Sequence, residues 1–160
     1  MTTTDNVSPG FDLARDMHYM HKALKLAEQA AALGEVPVGC VIVDTDKIIA
    51  AEYNQRETAN DATAHAELLA LRAAGRSRPS WRLDGCDLYV TLEPCLMCSG
   101  AIIQSRIRRL IFGAADPKGG MAGSVSNVFE LPSNHQVLIT GQILAEECSL
   151  LLKNFFRARR

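Results

Sequence analysis

The sequence predicts one α/β domain, a mixed β-sheet covered by helices on both faces. Three observations predict it. Segments with helical periodicity alternate with short β-rich runs along the whole chain. Helices separate the later strands, and a crossover of that kind is what parallel neighbours require. The chain has 160 residues, 48% of them hydrophobic and 22% charged, enough to bury one core without staples.

The first helix is expected from about Arg15 to Leu33, where Met17, Met20, Ala23, Leu24, Ala27 and Ala30 form one apolar stripe and Gly34 is a natural stop. Val38 to Val43 and Ile48 to Tyr53 are β-rich, and Asp44-Thr45-Asp46 between them reads as a hairpin turn. A second helix follows from about Ala64 to Ala74, with Thr63 or Asp61 as its cap and Gly75 as its end. Leu88 to Leu92 is a third strand, Cys95 to Ser105 a third helix and Ile107 to Ala114 a fourth strand. After a glycine-rich loop, Lys118 to Gly123, come a short strand, Gln136 to Thr140, and a last helix from Ile143. The polar stretch Met1 to Gly10 lacks the apolar segment of a secretory signal. It reads as a flexible tail running to residue 15, before a domain of residues 16–160.

Composition excludes some classes. No apolar run approaches the roughly 18 residues of a membrane span, so no membrane partner is expected. The 5 cysteines are an odd number, with two in a CxxC, which argues against a disulfide framework and for a reducing cytoplasm. Cys40, Cys86 and Cys148 read as small buried hydrophobes. A formal net charge of −1 does not announce a nucleic-acid binder. Basic clusters at Arg106, Arg108, Arg109 and at Arg157, Arg159, Arg160 leave the question open.

The chemistry is concentrated in His65-Ala66-Glu67 and Pro94-Cys95-Leu96-Met97-Cys98. His65, Cys95 and Cys98 supply three zinc ligands, one short of a closed tetrahedron, and an open position is the mark of a catalytic site. Cys95 and Cys98 share a face at a helix start, where the macrodipole favours thiolates and Pro94 costs no hydrogen bond. Two thiolates and a neutral imidazole cancel the charge of Zn²⁺, so water there is less acidified than at a three-histidine site. A carboxylate that takes the proton gains importance accordingly, which gives Glu67 the role of proton carrier. The residues thus point to zinc-assisted hydrolysis. HxE followed by PCxxC about 30 residues later also matches, as a pattern, the established signature of zinc deaminases, the tRNA adenosine deaminases among them.

Around that signature the chain resembles the bacterial tRNA-specific adenosine deaminases, of the cytidine/deoxycytidylate deaminase superfamily. The resemblance lies in Glu35-Val36-Pro37-Val38-Gly39, Thr63-Ala64-His65-Ala66-Glu67, Leu88 to Cys95, Met97-Cys98, Gly100-Ala101-Ile102, Ser105-Arg106-Ile107, Phe112-Gly113-Ala114, Ile143-Leu144-Ala145 and Phe155-Phe156-Arg157. It implies a three-layer α/β/α cytidine-deaminase-like fold with a central mixed five-stranded sheet, a homodimer and one Zn²⁺ per subunit. The implied reaction converts the wobble adenosine in the anticodon stem-loop of an arginine tRNA to inosine. It gives Asn54 a contact to the base and makes Val38 and Ala66 pocket walls. Asp116, Lys118 and Asn134 become loop contacts to the RNA, with Phe156, Arg157 and Arg160 supporting it from the last helix. Asn54 has a second reading as a strand-end turn residue, and Phe155 and Phe156 compete for one core position. The family's Lys-Thr-Gly is Lys118-Gly119-Gly120 here, for which a more flexible loop is expected. Rival readings are a guanine, cytosine or nucleotide deaminase on the same fold, a non-catalytic RNA-binding subunit, and a redox CxxC protein.

Overall fold

The computed structural model describes residues 11–160. The stretch Met1 to Gly10, expected to be a tail, lies outside the described residues. The elements in order are α1 (Leu13–Ala32), β1 (Gly39–Asp44), β2 (Lys47–Tyr53), α2 (Ala66–Arg76), β3 (Cys86–Leu92), α3 (Leu96–Gln104), β4 (Arg109–Ala114), a 3₁₀ turn (Val128–Glu130), β5 (Leu138–Thr140) and α4 (Ala145–Arg157). The sheet order is β2-β1-β3-β4-β5. β1 is antiparallel to both β2 and β3, whereas β3, β4 and β5 run parallel. The expected mixed five-stranded sheet is therefore observed.

Alternation along the inner strands builds two cores. Cys40, Ile42, Leu88, Val90, Leu110 and Phe112 face α2 and α3. Val41, Val43, Tyr89 and Ile111 face the opposite layer, where α1 supplies Met20, Ala23 and Leu24 and α4 supplies Cys148. Strands apolar on both faces need a helical layer on each side, so three layers follow from the residues. Cys40, Cys86 and Cys148 are all buried, as expected.

The helix ends refine the sequence expectations. α1 starts at Leu13, earlier than Arg15, because Asp12 accepts a hydrogen bond from the Arg15 backbone N–H at 3.0 Å and caps it. At its far end Gly34 has φ +82°, with Gly34 N–H bonded to Ala31 O and Glu35 N–H to Ala30 O, a Schellman stop. α2 does not end at Gly75. It runs on to Arg76 and closes at Ser77, whose hydroxyl donates to Ala74 O at 2.7 Å. Gly39 fixes how close α1 lies to the sheet. A Cβ there would fall 2.0 Å from Ala23 O and 2.7 Å from Ala27 N.

Between α1 and the sheet lies a buried ionic cluster. Arg109, only 3% exposed, makes paired bonds of 3.1 and 2.8 Å to Asp16, which also accepts from the Tyr89 hydroxyl at 2.7 Å. Asp87 accepts from Arg15 at 2.8 Å and from Arg108 at 2.8 and 2.7 Å. Removing one partner of a buried pair leaves an uncompensated charge. Asp16→Ala should therefore lower unfolding stability by about 3–5 kcal/mol in urea titrations. A loss of under about 1 kcal/mol, the scale of a surface pair, would contradict this account of the cluster.

Candidate active site

The site forms where two helices begin. His65 is the N-cap of α2, in extended backbone, and its ring makes no capping bond. Thr63 and Asp61 do not cap α2. Instead the Asp61 carboxylate accepts from the Thr63 N–H and hydroxyl at 2.8 and 2.7 Å, shaping the turn just before the helix. His65 thereby stands free in front of α2, with Glu67 in its first turn. Cys95 is likewise the N-cap of α3 and makes no cap bond, so Cys95 sits one residue outside the helix and Cys98 in its first turn. The i, i+3 pair still shares one face.

The two helix starts bring three ligand atoms together. His65 Nδ1 lies 3.7 Å from Cys95 Sγ and 3.5 Å from Cys98 Sγ. Zinc bound tetrahedrally at ordinary Zn–N and Zn–S lengths separates N and S by about 3.6 Å. The spacing and the donor set therefore fit zinc, and His65, Cys95 and Cys98 form the one such ligand group among the described residues.

Electrostatics agree with a site prepared for a cation. A hydrogen bond from Cys98 draws the Cys95 thiol down to about 4, against the opposing effect of burial and with help from His65. Cys98 is pushed up, first by that shared bond and then by burial. The two thiols share that hydrogen bond and so give up their protons as a coupled pair, in two steps. The hydrogen bond to Cys95 raises the His65 imidazole above its usual value, with burial opposing. Burial pushes the Glu67 carboxyl up, while bonds from its own N–H and from Cys98 pull it back. Glu67 is 4% exposed.

A cavity of about 170 Å³ opens onto this cluster, lined by Val36, Val38, Asn54, Arg56, His65, Ala66, Glu67, Leu92, Glu93, Cys95 and Asp116. Of the expected substrate contacts, Asn54, Val38, Ala66 and Asp116 are therefore on its wall. Asn54 fits its reading as a strand-end turn residue: its side-chain amide donates to Val36 O at 3.2 Å and its oxygen accepts from Arg56 N–H at 3.2 Å. A carboxamide has capacity for two further bonds. Lys118, Asn134, Phe156, Arg157 and Arg160 are exposed and lie off the cavity wall. Phe155 is the core residue of its pair at 8% exposure, and Phe156 is 50% exposed. Arg108 and Arg109 are committed to Asp87 and Asp16. His18 and His21 are exposed, and His135 bonds Ile107 O at 2.7 Å, so none of the three joins the site.

Sequence reasoning passed over two buried carboxylates that flank the cavity. Glu35, fully buried, accepts from Glu57 N–H at 3.2 Å and Thr58 N–H at 2.7 Å and ties down the loop after Asn54. Glu93 does the same for the loop after Asp116. Burial alone would raise Glu93, but bonds from Ser124, Ala122 and Asp116 hold it below the usual carboxylate range. Both stood in the motifs as letters only, since their partners are 22 or more residues away.

Comparison with known proteins agrees with this geometry. The family model for the cytidine and deoxycytidylate deaminase zinc-binding region matches residues 13–114. The tRNA-specific adenosine deaminase of Bacillus subtilis is 46% identical over 149 residues, spanning 92% of this chain and 92% of that protein. The protein of the same name from Haemophilus influenzae is 49% identical over 147 residues, spanning 91% and 85%. A solved structure from a study of A-to-I editing by tRNA:A34 deaminases at the wobble position of transfer RNA superposes with a TM-score of 0.79. It is 43% identical and covers 84% of this chain and 99% of that one. The fold is cytidine-deaminase-like. The chain is a hydrolytic deaminase that belongs to the cytidine and deoxycytidylate deaminase family and, within it, to the tRNA-specific adenosine deaminases.

Proposed function

We propose that this enzyme converts the wobble adenosine of a tRNA anticodon, with an arginine tRNA as the expected substrate, to inosine. One observation carries the proposal: His65, Cys95 and Cys98 meet at tetrahedral zinc spacing, and His65 and Cys95 share with Glu67 the wall of one cavity. These three residues hold one zinc ion per subunit. Zinc, when bound, supplies a Lewis acid that makes water a nucleophile near neutral pH.

The chain's own residues do the rest. Val38, Ala66 and Leu92 give the flipped-out base an apolar slot. Asn54 spends its remaining hydrogen-bond capacity on the edge of the base. Glu67 takes one proton of the attacking water and gives it to the ring nitrogen, then takes the remaining hydroxyl proton and gives it to the amino group, which leaves as ammonia. Its raised pKa suits a group that must hold a proton between those steps.

Asp116 sits at the cavity wall, and an anion repels phosphate, so its partner is a sugar hydroxyl or a base edge. Lys118 and Asn134 meet the backbone beyond. Phe156, Arg157 and Arg160 support the RNA from the end of α4 by stacking and phosphate contact. A homodimer agrees with the exposed apolar side chains of Leu96 and Met97 at the start of α3 and of Trp81 on the wall of an open groove between α2 and α3, surface that a second copy covers. Among the described residues no helix is long and apolar enough to cross a membrane. The enzyme works beside its RNA in the cytoplasm.

The test is direct competition of substrates. The zinc-loaded protein should make inosine in an anticodon stem-loop and release no ammonia from guanine, cytosine or nucleotides. Near-neutral net charge leaves phosphate binding to local patches, so activity on RNA should fall steeply as salt rises. Ammonia from guanine with no inosine in RNA would overturn the proposal in favour of a free-base deaminase.

A further inference from the structure

Glu93 occupies an unusual position for a carboxylate. It is 2% exposed, lies two residues before Cys95 and has no cationic partner among the described residues. Its charge is met by donors of a single loop. One oxygen accepts from Asp116 N–H at 3.2 Å and from the Ser124 hydroxyl; the other accepts from Ala122 N–H at 3.0 Å and Ser124 N–H at 3.1 Å. Buried charge-assisted bonds of this kind are strong and directional.

The loop closes around that carboxylate. Gly120 N–H bonds Asp116 O at 2.9 Å, Val125 N–H bonds Gly120 O at 2.9 Å, and Met121 N–H bonds Pro94 O at 3.0 Å. A Cβ on Gly120 would lie 2.3 Å from the Glu93 carboxyl group and 2.7 Å from Asp116 O. At Gly119 the nearest atom would be 3.4 Å away, ordinary contact. Position 119 thus tolerates a side chain, which agrees with the threonine of the family pattern, whereas position 120 requires glycine. The glycine packed against Glu93 is thus Gly120, the one that the family pattern shares.

Asp116 uses one carboxylate oxygen to accept from Lys118 N–H at 3.0 Å and Gly119 N–H at 3.2 Å, and its side chain lines the cavity. We propose that Glu93 is a positioning residue for the substrate: it fixes the 116–124 loop so that Asp116 and Lys118 meet the RNA at the cavity mouth. The inference rests on the RNA-editing reading above. Both carboxylate oxygens of Glu93 are taken up by that loop, so its effect falls on binding and not on the chemical step.

Glu93→Gln keeps the shape but turns a donor toward N–H groups that need an acceptor. It should raise KM for the anticodon stem-loop about tenfold, with kcat within about twofold of the parent, the pattern of lost uniform binding. Zinc content should be unchanged, and hydrogen exchange at the Ala122 and Ser124 amides should accelerate. Ser124→Ala should give a smaller rise in KM and Ser124→Thr should restore it, which decides the matter if Glu93→Gln does not fold. Unchanged KM in Glu93→Gln and Ser124→Ala would overturn the inference. So would loss of zinc with a fall in kcat at constant KM, because Glu93 would then serve the cysteine turn. If the parent enzyme makes no inosine in the stem-loop, the functional reading itself fails and this inference with it. Parent turnover with an unchanged variant KM defeats the inference alone.

Discussion

Glu67→Ala should hold its zinc and lose turnover on the stem-loop by about 10³–10⁴-fold, the upper range for general acid–base catalysis. The upper range is expected because the proposed mechanism routes every proton transfer of the reaction through one carboxyl. Water must lose a proton to attack, the ring must gain one, and ammonia must leave protonated. Glu67 is placed for all three at the first turn of α2, buried beside the ligand atoms on the cavity wall. It is not a member of the ligand group, so metal content should not change. Glu67→Gln should match the alanine variant, because the amide keeps the volume but cannot accept the proton. Single-turnover rates combined with metal analysis separate the two effects. A Glu67→Ala protein with full zinc and full turnover would remove the proton carrier from the account.

Replacing a ligand should cost both zinc and activity. His65→Ala, Cys95→Ser and Cys98→Ser each leave two donors, and turnover should fall below detection with zinc content near zero after dialysis against chelator. The pH dependence has a definite sign. The bond shared with Cys95 and burial push the Cys98 thiol up, and zinc requires it as thiolate. Loading therefore releases the thiol proton at neutral pH, and apparent zinc affinity should rise about tenfold per pH unit for each proton released. Competition against a chromophoric chelator between about pH 6 and pH 8 measures the slope. A flat profile would show that both thiols were already ionised.

The metal group was legible because its chemistry needs particular residue types at short spacing. HxE and PCxxC each occupy one helix start, so the sequence already contains most of their geometry. The detail it missed is one residue wide and has consequences: His65 and Cys95 are N-caps, outside the helices. Extended backbone there turns both side chains toward the same point. The layers were legible from runs such as Cys40 to Val43 and Leu88 to Val90, buried on both faces. The Phe155/Phe156 ambiguity was soluble in principle, because Cys148, Leu152 and Phe155 repeat at helical spacing and put Phe156 on the other side.

What could not be read depends on contacts distant in sequence. Arg108 and Arg109 looked like half of a basic patch, yet Arg109 bonds Asp16 across 93 residues and is buried. The order in the loop after Asp116 depends on Glu93, whose partners lie 23 to 31 residues onward with no local pattern to announce them. Hairpin turns and helix stops have signatures; a buried carboxylate that collects amide donors from a later loop has none.

The central claim is that this protein hydrolyses the C6 amino group of an adenosine held in RNA. Turnover of an anticodon stem-loop in water enriched in oxygen-18 tests it most directly, with ammonia counted in the same sample. One ammonia released and one solvent oxygen incorporated at C6 are expected for each inosine formed, by the zinc-loaded protein and not by Glu67→Ala. Inosine without solvent oxygen, or ammonia from free bases with the stem-loop untouched, would contradict it.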